Sequence, residues 1–156
     1  MLLVTGITGH SGSYFLKELI NNKYEGPIRC VVRRSSEDTS LLDNSGLKIE
    51  KVVGDLNDQG FLDKAMIGVD TIMHIASIFC SAKVMKAAVK NNVRRAILVH
   101  TTGIYSKYKS ASEEYKDIES EVKKIINASQ IGLIILRPTM IYGNVNDKNM
   151  VIFLPN

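Results

Sequence analysis

The residues with the plainest chemical use stand at the start of the chain. An apolar run, Leu2-Leu3-Val4-Thr5, ends in Gly6-Ile7-Thr8-Gly9-His10-Ser11-Gly12 and passes directly into the amphipathic segment Ser13 to Ile20. That order reads as strand, tight turn and helix. Gly6 lets the chain turn without a Cβ penalty, Gly9 lets backbone approach a pyrophosphate, and Gly12 lets helix and strand pack closely. The first helical N–H groups then meet the phosphates, where the helix dipole also favours negative charge. Gly6, Thr8, Gly9, His10, Ser11 and Gly12 are therefore expected to cradle a dinucleotide, the plainer alternative being a structural turn.

The second informative position is the end of the next strand. A carboxylate about 20 residues past the glycines would accept the ribose 2′-hydroxyl of NAD, but this chain carries Arg33 and Arg34 there. A guanidinium fork suits a 2′-phosphate, so NADP is preferred to NAD. The competing reading makes Arg33 an ordinary outward charge at a strand end.

Apolar runs of strand length alternate with helix-period segments along the rest of the chain. Strands are expected at Leu2 to Thr5, Ile28 to Arg33, Ile49 to Val53, Asp70 to Ala76, Ala96 to His100 and Leu133 to Arg137. Between them, a short helix is read around Leu41-Leu42 and another from Asn57, as cap, through Met66, with Gly68 at its end. A helix spans Ser77 to Asn92, with Val84, Ala87, Ala88 and Val89 inward. The last helix runs from Ser110 to Ser129, its stripe being Tyr115, Ile118, Val122, Ile125 and Ser129, and Gly132 stops it. Repeated βα units with near-continuous apolar strands imply an α/β, doubly wound parallel sheet of Rossmann type, six strands in the order 3-2-1-4-5-6. The ligand belongs at the carboxyl ends of strands one and four, where that order reverses. Residues 1–143 form the binding domain and 144–156 a tail.

Composition narrows the class. The 156 residues, 45% hydrophobic and 23% charged, suit one globular domain. Cys30 and Cys80 fall in separate apolar runs without metal or redox spacing, as buried reduced thiols would. No apolar run approaches the roughly 18 residues of a membrane span, and the first strand leaves no room for a signal peptide, so a soluble, cytoplasmic protein is expected. The net charge of +4 is dispersed over Lys83, Lys86 and Lys90, over Lys123 and Lys124, and over Arg94-Arg95, which argues for solvated faces and against nucleic acid.

Five motifs in order carry a resemblance: Thr5-Gly6-x-x-Gly9-x-x-Gly12, Gly54-Asp55-Leu56, His74-Ile75-Ala76-Ser77, Thr101-Thr102-Gly103, and Arg137-Pro138-Thr139-Met140-Ile141-Tyr142-Gly143. Together they resemble the extended and atypical short-chain dehydrogenase/reductases, and more narrowly the NAD-dependent epimerase/dehydratase group that acts on nucleotide sugars. The resemblance implies that Asp55 accepts a hydrogen bond from the adenine amino group with Leu56 beside the ring. It places Ile75, Ala76 and Ser77 along ribose and phosphates, and Pro138 and Thr139 near the nicotinamide. The plainer alternative for Asp55 is a helix-start or turn aspartate, and His74 reads better as a hydrogen-bonded core histidine than as a base.

The same resemblance implies a hydroxyl after strand five, a tyrosine, and a lysine four residues beyond that tyrosine. Thr101 or Thr102 supplies the first, with Thr102 preferred, and Tyr115 is placed for the second; position 119, however, is Glu. An anion there would disfavour tyrosinate, so Glu119 is expected to turn to Lys123 at i+4, and Tyr115 is either catalytic or a plain core tyrosine. Tyr105 to Lys109 satisfies tyrosine-x-x-x-lysine literally, but too soon after strand five. Relatives acting on nucleotide sugars carry a further C-terminal region that is not recognisable here; the sequence ends in the apolar run Met150 to Leu154, read as an edge strand, an association surface or the remnant of a longer protein. Two expectations follow: an NADP-dependent oxidoreductase or epimerase acting on a small molecule, or a non-catalytic NADP-binding regulatory module. A homodimer through the helices flanking strand five is implied in either case.

Overall fold

Short apolar runs, four or five residues each, build the centre of the molecule, and the inner ones spare almost no polar position because they are buried on both faces. In the computed structural model, which describes residues 1–33, 39–139 and 141, these runs form β1 (Leu2–Thr5), β2 (Ile28–Val32), β3 (Ile49–Val53), β4 (Thr71–His74), β5 (Arg95–Val99) and β6 (Gly132–Leu136). All pairings are parallel and the order is β3-β2-β1-β4-β5-β6, as the βα alternation implied. The helices are α1 (His10–Asn21), α2 (Ser40–Asp43), α3 (Gln59–Ala65), α4 (Ser81–Lys90) and α5 (Lys109–Ile126). Single 3-10 turns at Ile78–Cys80 and Thr102–Tyr105 lead into α4 and α5.

The pleat divides the core in two. Leu3, Val31, Ile72, Ala96 and Leu98 face α3, α4 and α5, meeting Leu62, Val84, Met85, Ala88 and Val122. Leu2, Val4, Ile28, Cys30 and Val32 face α1, meeting Leu16 and Leu19. Both thiols are buried and unpaired, and burial pushes that of Cys30 up to about 12, so it behaves as a small apolar side chain.

Several element ends differ from the sequence reading. Asp58, not Asn57, caps α3: its Oδ1 accepts the Phe61 N–H at 3.1 Å. Gly68 lies beyond α3 at φ +76°, finishing the turn into β4. The segment from Ser77 begins as a 3-10 turn before α4, and α5 ends at Ile126, so Gly132 does not stop it but opens β6. Arg34, Met140, Tyr142, Gly143 and the tail 144–156 lie outside the described residues.

Candidate functional site

The glycine turn has the geometry its spacing demands. Gly6 sits at φ +73°, and a Cβ there would stand 2.7 Å from the Ala76 nitrogen at the end of β4. A Cβ on Gly12 would fall 2.0 Å from the Gly6 carbonyl oxygen, so α1 can start this close to β1 only without one. The Gly9 N–H donates to Gly6 O at 3.1 Å, and Gly9 is the N-cap of α1 without a side-chain cap bond. The opening N–H groups of α1 are thus presented at the end of the sheet, a built anion cradle. His10 begins that helix, edge-on to Tyr14, with both ring nitrogens shielded and unpaired.

Beside this turn, where strand order reverses between β1 and β4, opens a cleft of about 830 Å³. Gly6, Thr8 and Gly9 form its floor, Arg33, Gly54, Asp55 and Leu56 the wall from β2 and β3, and Ile75, Ala76 and Ser77 the wall from β4. A second hollow of about 740 Å³ continues past Arg33 and Asp55 toward Val53, Asp58 and Phe61. The motifs therefore converge in space although 70 residues separate Gly6 from Ala76. The Asp55 Oδ1 accepts the Asn57 N–H at 2.8 Å, which is the turn role, and the residue also lines the cleft. Asn57, Phe79 and Cys80 also line the cleft; sequence reading passed them over because only their place at the carboxyl ends of β3 and β4 marks them.

His74 is the core histidine expected. Its Nε2 faces Ser77 O at 3.2 Å and its Nδ1 faces Thr5 Oγ1 at 2.7 Å. A carbonyl only accepts, so Nε2 carries the proton and the Thr5 hydroxyl donates to Nδ1. Burial, against the weaker pull of the Ser77 carbonyl, lowers its pKa to about 4.

On the β5–β6 side, the Thr102 N–H and hydroxyl both approach Pro138 O at 3.4 Å, while Thr101 Oγ1 caps the turn by accepting the Gly103 N–H at 3.0 Å. Tyr115 packs against Gly103, where a Cβ would meet its Cε2 at 2.9 Å, and its ring centroid lies 6.0 Å from that of Phe79. Tyr115 thus stands beside Phe79 of the cleft, while the Thr102 hydroxyl is turned to Pro138 and neither residue lines the cleft itself. Tyr105 and Lys109 are not on a shared helix: the first closes a 3-10 turn, the second opens α5.

Glu119 does not pair with Lys123. It is 2% exposed on the sheet side of α5, taking Arg137 Nε on Oε1 at 2.8 Å and an Arg137 terminal nitrogen on Oε2 at 2.5 Å. His100 Nδ1 stands 3.1 Å from the same Oε1, and its Nε2 is 3.0 Å from Ser81 Oγ. The carboxylate fixes the tautomer: Nδ1–H donates to Glu119 and Nε2 accepts from Ser81. Burial works against the Glu119 carboxylate, but Arg137 and then His100 outweigh it and hold its pKa below the ordinary value. His100 is held below its ordinary value by burial, against the opposing pull of Glu119. The signal for this network was present in the alternation: Thr5, His74, His100 and Arg137 continue the inward faces of β1, β4, β5 and β6.

A protein family described as NAD(P)H-binding matches residues 6–153. The chain belongs to this family. An NAD(P)H-binding domain is what the glycine turn and cleft belong to, as the dinucleotide reading of the glycine motif expected. The chain is 37% identical to sterol demethylase protein B of Methylococcus capsulatus over 75 residues, 48% of this chain and 21% of that protein. Its fold is similar to MoeE5, solved with UDP-glucose and NAD, at a TM-score of 0.76 and 18% identity over 97% of this chain and 58% of that one. It is also similar to an NADPH-dependent quinone oxidoreductase of Escherichia coli, at a TM-score of 0.67 and 22% identity over 88% of this chain and 47% of that one. The chain thus spans about half the length of these two solved proteins. Among the described residues no helix is long and apolar enough to cross a membrane, and no His, Cys, Asp and Glu group could hold a metal.

Proposed function

We propose that the NAD(P)H-binding domain is an NADP(H)-binding, epimerase/dehydratase-like unit. The observation that carries the choice of cofactor is Arg33, the residue after β2, which lines both the main cleft and the hollow beyond it. A cofactor laid with its pyrophosphate at the start of α1 brings its adenosine ribose to that position, where a guanidinium serves a 2′-phosphate. Asp55 and Leu56 then hold adenine, while Ile75, Ala76 and Ser77 flank the phosphates and Pro138 and Thr139 bound the nicotinamide end. When bound, the dinucleotide supplies hydride exchange. Thr102 orients a substrate oxygen and Tyr115 moves its proton, the substrate being a small molecule of the nucleotide-sugar type found with MoeE5.

One observation favours a second reading, a cofactor-binding module without turnover. At the position where the superfamily places a lysine, Glu119 is committed to Arg137 and His100. Calorimetric titration with NADPH and with NADH tests the first step: tighter NADPH binding is expected, and equal affinity would sink the Arg33 argument. Turnover that falls in Tyr115→Phe would then favour the enzyme. Its absence across nucleotide sugars and simple carbonyl compounds would favour the module.

A further inference from the structure

The buried network at the ends of β5 and β6 touches neither the glycine turn nor Arg33, and it lies on the opposite side of the strand-order reversal from both. We infer that Glu119 and Arg137, backed by His100 and Ser81, are positioning residues that set the nicotinamide-side wall of the cleft. This inference rests on the NADP(H) reading above. Arg137 is the first residue past β6, and its guanidinium grips both Glu119 oxygens as a fork, at 2.8 and 2.5 Å. The same carboxylate takes His100, the residue after β5, which in turn is bonded by Ser81, the first residue of α4. Four elements, α4, β5, α5 and β6, are thereby tied at one point.

The tie reaches the cleft through α4 and α5: Ser81 follows Cys80, which lines the cleft beside Phe79, and the Tyr115 ring on α5 meets Phe79. Pro138 follows Arg137, and its carbonyl receives both the N–H and the hydroxyl of Thr102. The fork thereby holds the end of β6 against α5, and the Pro138 carbonyl ties the same end to Thr102. The adenosine end is built from Arg33 and Asp55, after β2 and β3, and shares no residue with this chain of contacts. The network also accounts for the identity of residue 119: a lysine in this place would set a second cation against Arg137, with the carboxylate gone. A buried ion pair gives little net stability over a well-packed apolar pair, so its use here is geometric.

The two ends of the cofactor give the test. NADPH and adenosine 2′,5′-bisphosphate, which carries only the adenosine half, are titrated into the wild-type chain, Glu119→Gln, and the double variant Glu119→Leu with Arg137→Met. The double variant removes both charges of the pair together, and His100 then donates from Nε2 to Ser81 Oγ instead of from Nδ1 to Glu119. Positioning predicts NADPH affinity about tenfold weaker in the variants, with bisphosphate affinity changed by less than about twofold. A thermal melt shifted upward by the bisphosphate shows that each variant is folded. Unchanged affinity for both ligands, or an equal loss of both, would overturn the inference. Failure of the wild-type chain to bind either ligand would overturn the NADP(H) reading and this inference with it.

Discussion

Protonating a histidine that already gives one ring proton to a carbonyl and receives a hydroxyl hydrogen on the other nitrogen breaks the second bond, and His74 is in that position between Ser77 and Thr5. Its pKa is about 4 in the fold against 6.5 ordinarily, so between these values the unfolded chain binds more protons than the folded one. The stability it contributes is complete above pH 6.5 and is lost as pH falls toward 4, by about 3 kcal/mol. Urea unfolding at pH 7 and pH 4.5 should show that fall, with a flatter slope in His74→Gln; an unaltered slope would assign the acid sensitivity elsewhere. Glu119, held below its ordinary pKa, adds a loss of the same sign at still lower pH. Arg33 makes a binding prediction of the same single-residue kind. Arg33→Ala should weaken NADPH about 10- to 100-fold and NADH by no more than about threefold, as loss of a charge-assisted contact made only to the 2′-phosphate requires. Similar losses for both cofactors, measured by calorimetry, would remove that contact from the account.

The turn between β1 and α1 separates what serves the fold from what serves the ligand. Gly12→Ala would place a Cβ 2.0 Å from Gly6 O and 2.6 Å from the Ile7 Cα, backbone that cannot swing aside, and should cost about 2–3 kcal/mol of stability. Gly9→Ala meets only Gly6 O, at 3.3 Å, so it should leave the urea midpoint nearly unchanged while weakening NADPH. The reverse ranking would mean that the two glycines had been given each other's roles. This turn was legible in the sequence because its chemistry is local: spacing alone tells where a Cβ cannot be. Strand order was legible for a related reason, since parallel βα units with right-handed crossovers admit few arrangements. Glu119 was not, because its partners come from β5 and β6, 19 and 18 residues away, and helical spacing offered Lys123 as a nearer one. The end of α5 was misplaced for want of the fact that Gly132 pairs with Arg95 as the first rung of β6.

Both walls of the cofactor cleft come from one sheet, with a core on each of its faces, so binding and folding draw on the same contacts. The domain spans 58% of MoeE5, and on its last strand Ile134 and Leu136 are 53% and 45% exposed on the face away from α5. Those two side chains contribute little to the fold, whereas Leu3, Ile72 and Leu98, on the opposite face, are fully buried. Substituting Ile134 with a charged residue should therefore change stability by less than about 0.5 kcal/mol, where Leu98→Ala should cost about 3 kcal/mol. Cofactor binding is the complementary test of the whole unit. NADPH at a hundred times its dissociation constant stabilises a folded site by about 2.7 kcal/mol, which for a chain of this length raises the melting temperature by about 5–10 °C. A single cooperative transition that moves upward by this amount with NADPH, and less with the same concentration of NADH, would show that the cleft is complete within these residues and selective for the 2′-phosphate. A transition that neither cofactor moves would mean that the fold has outlived the site.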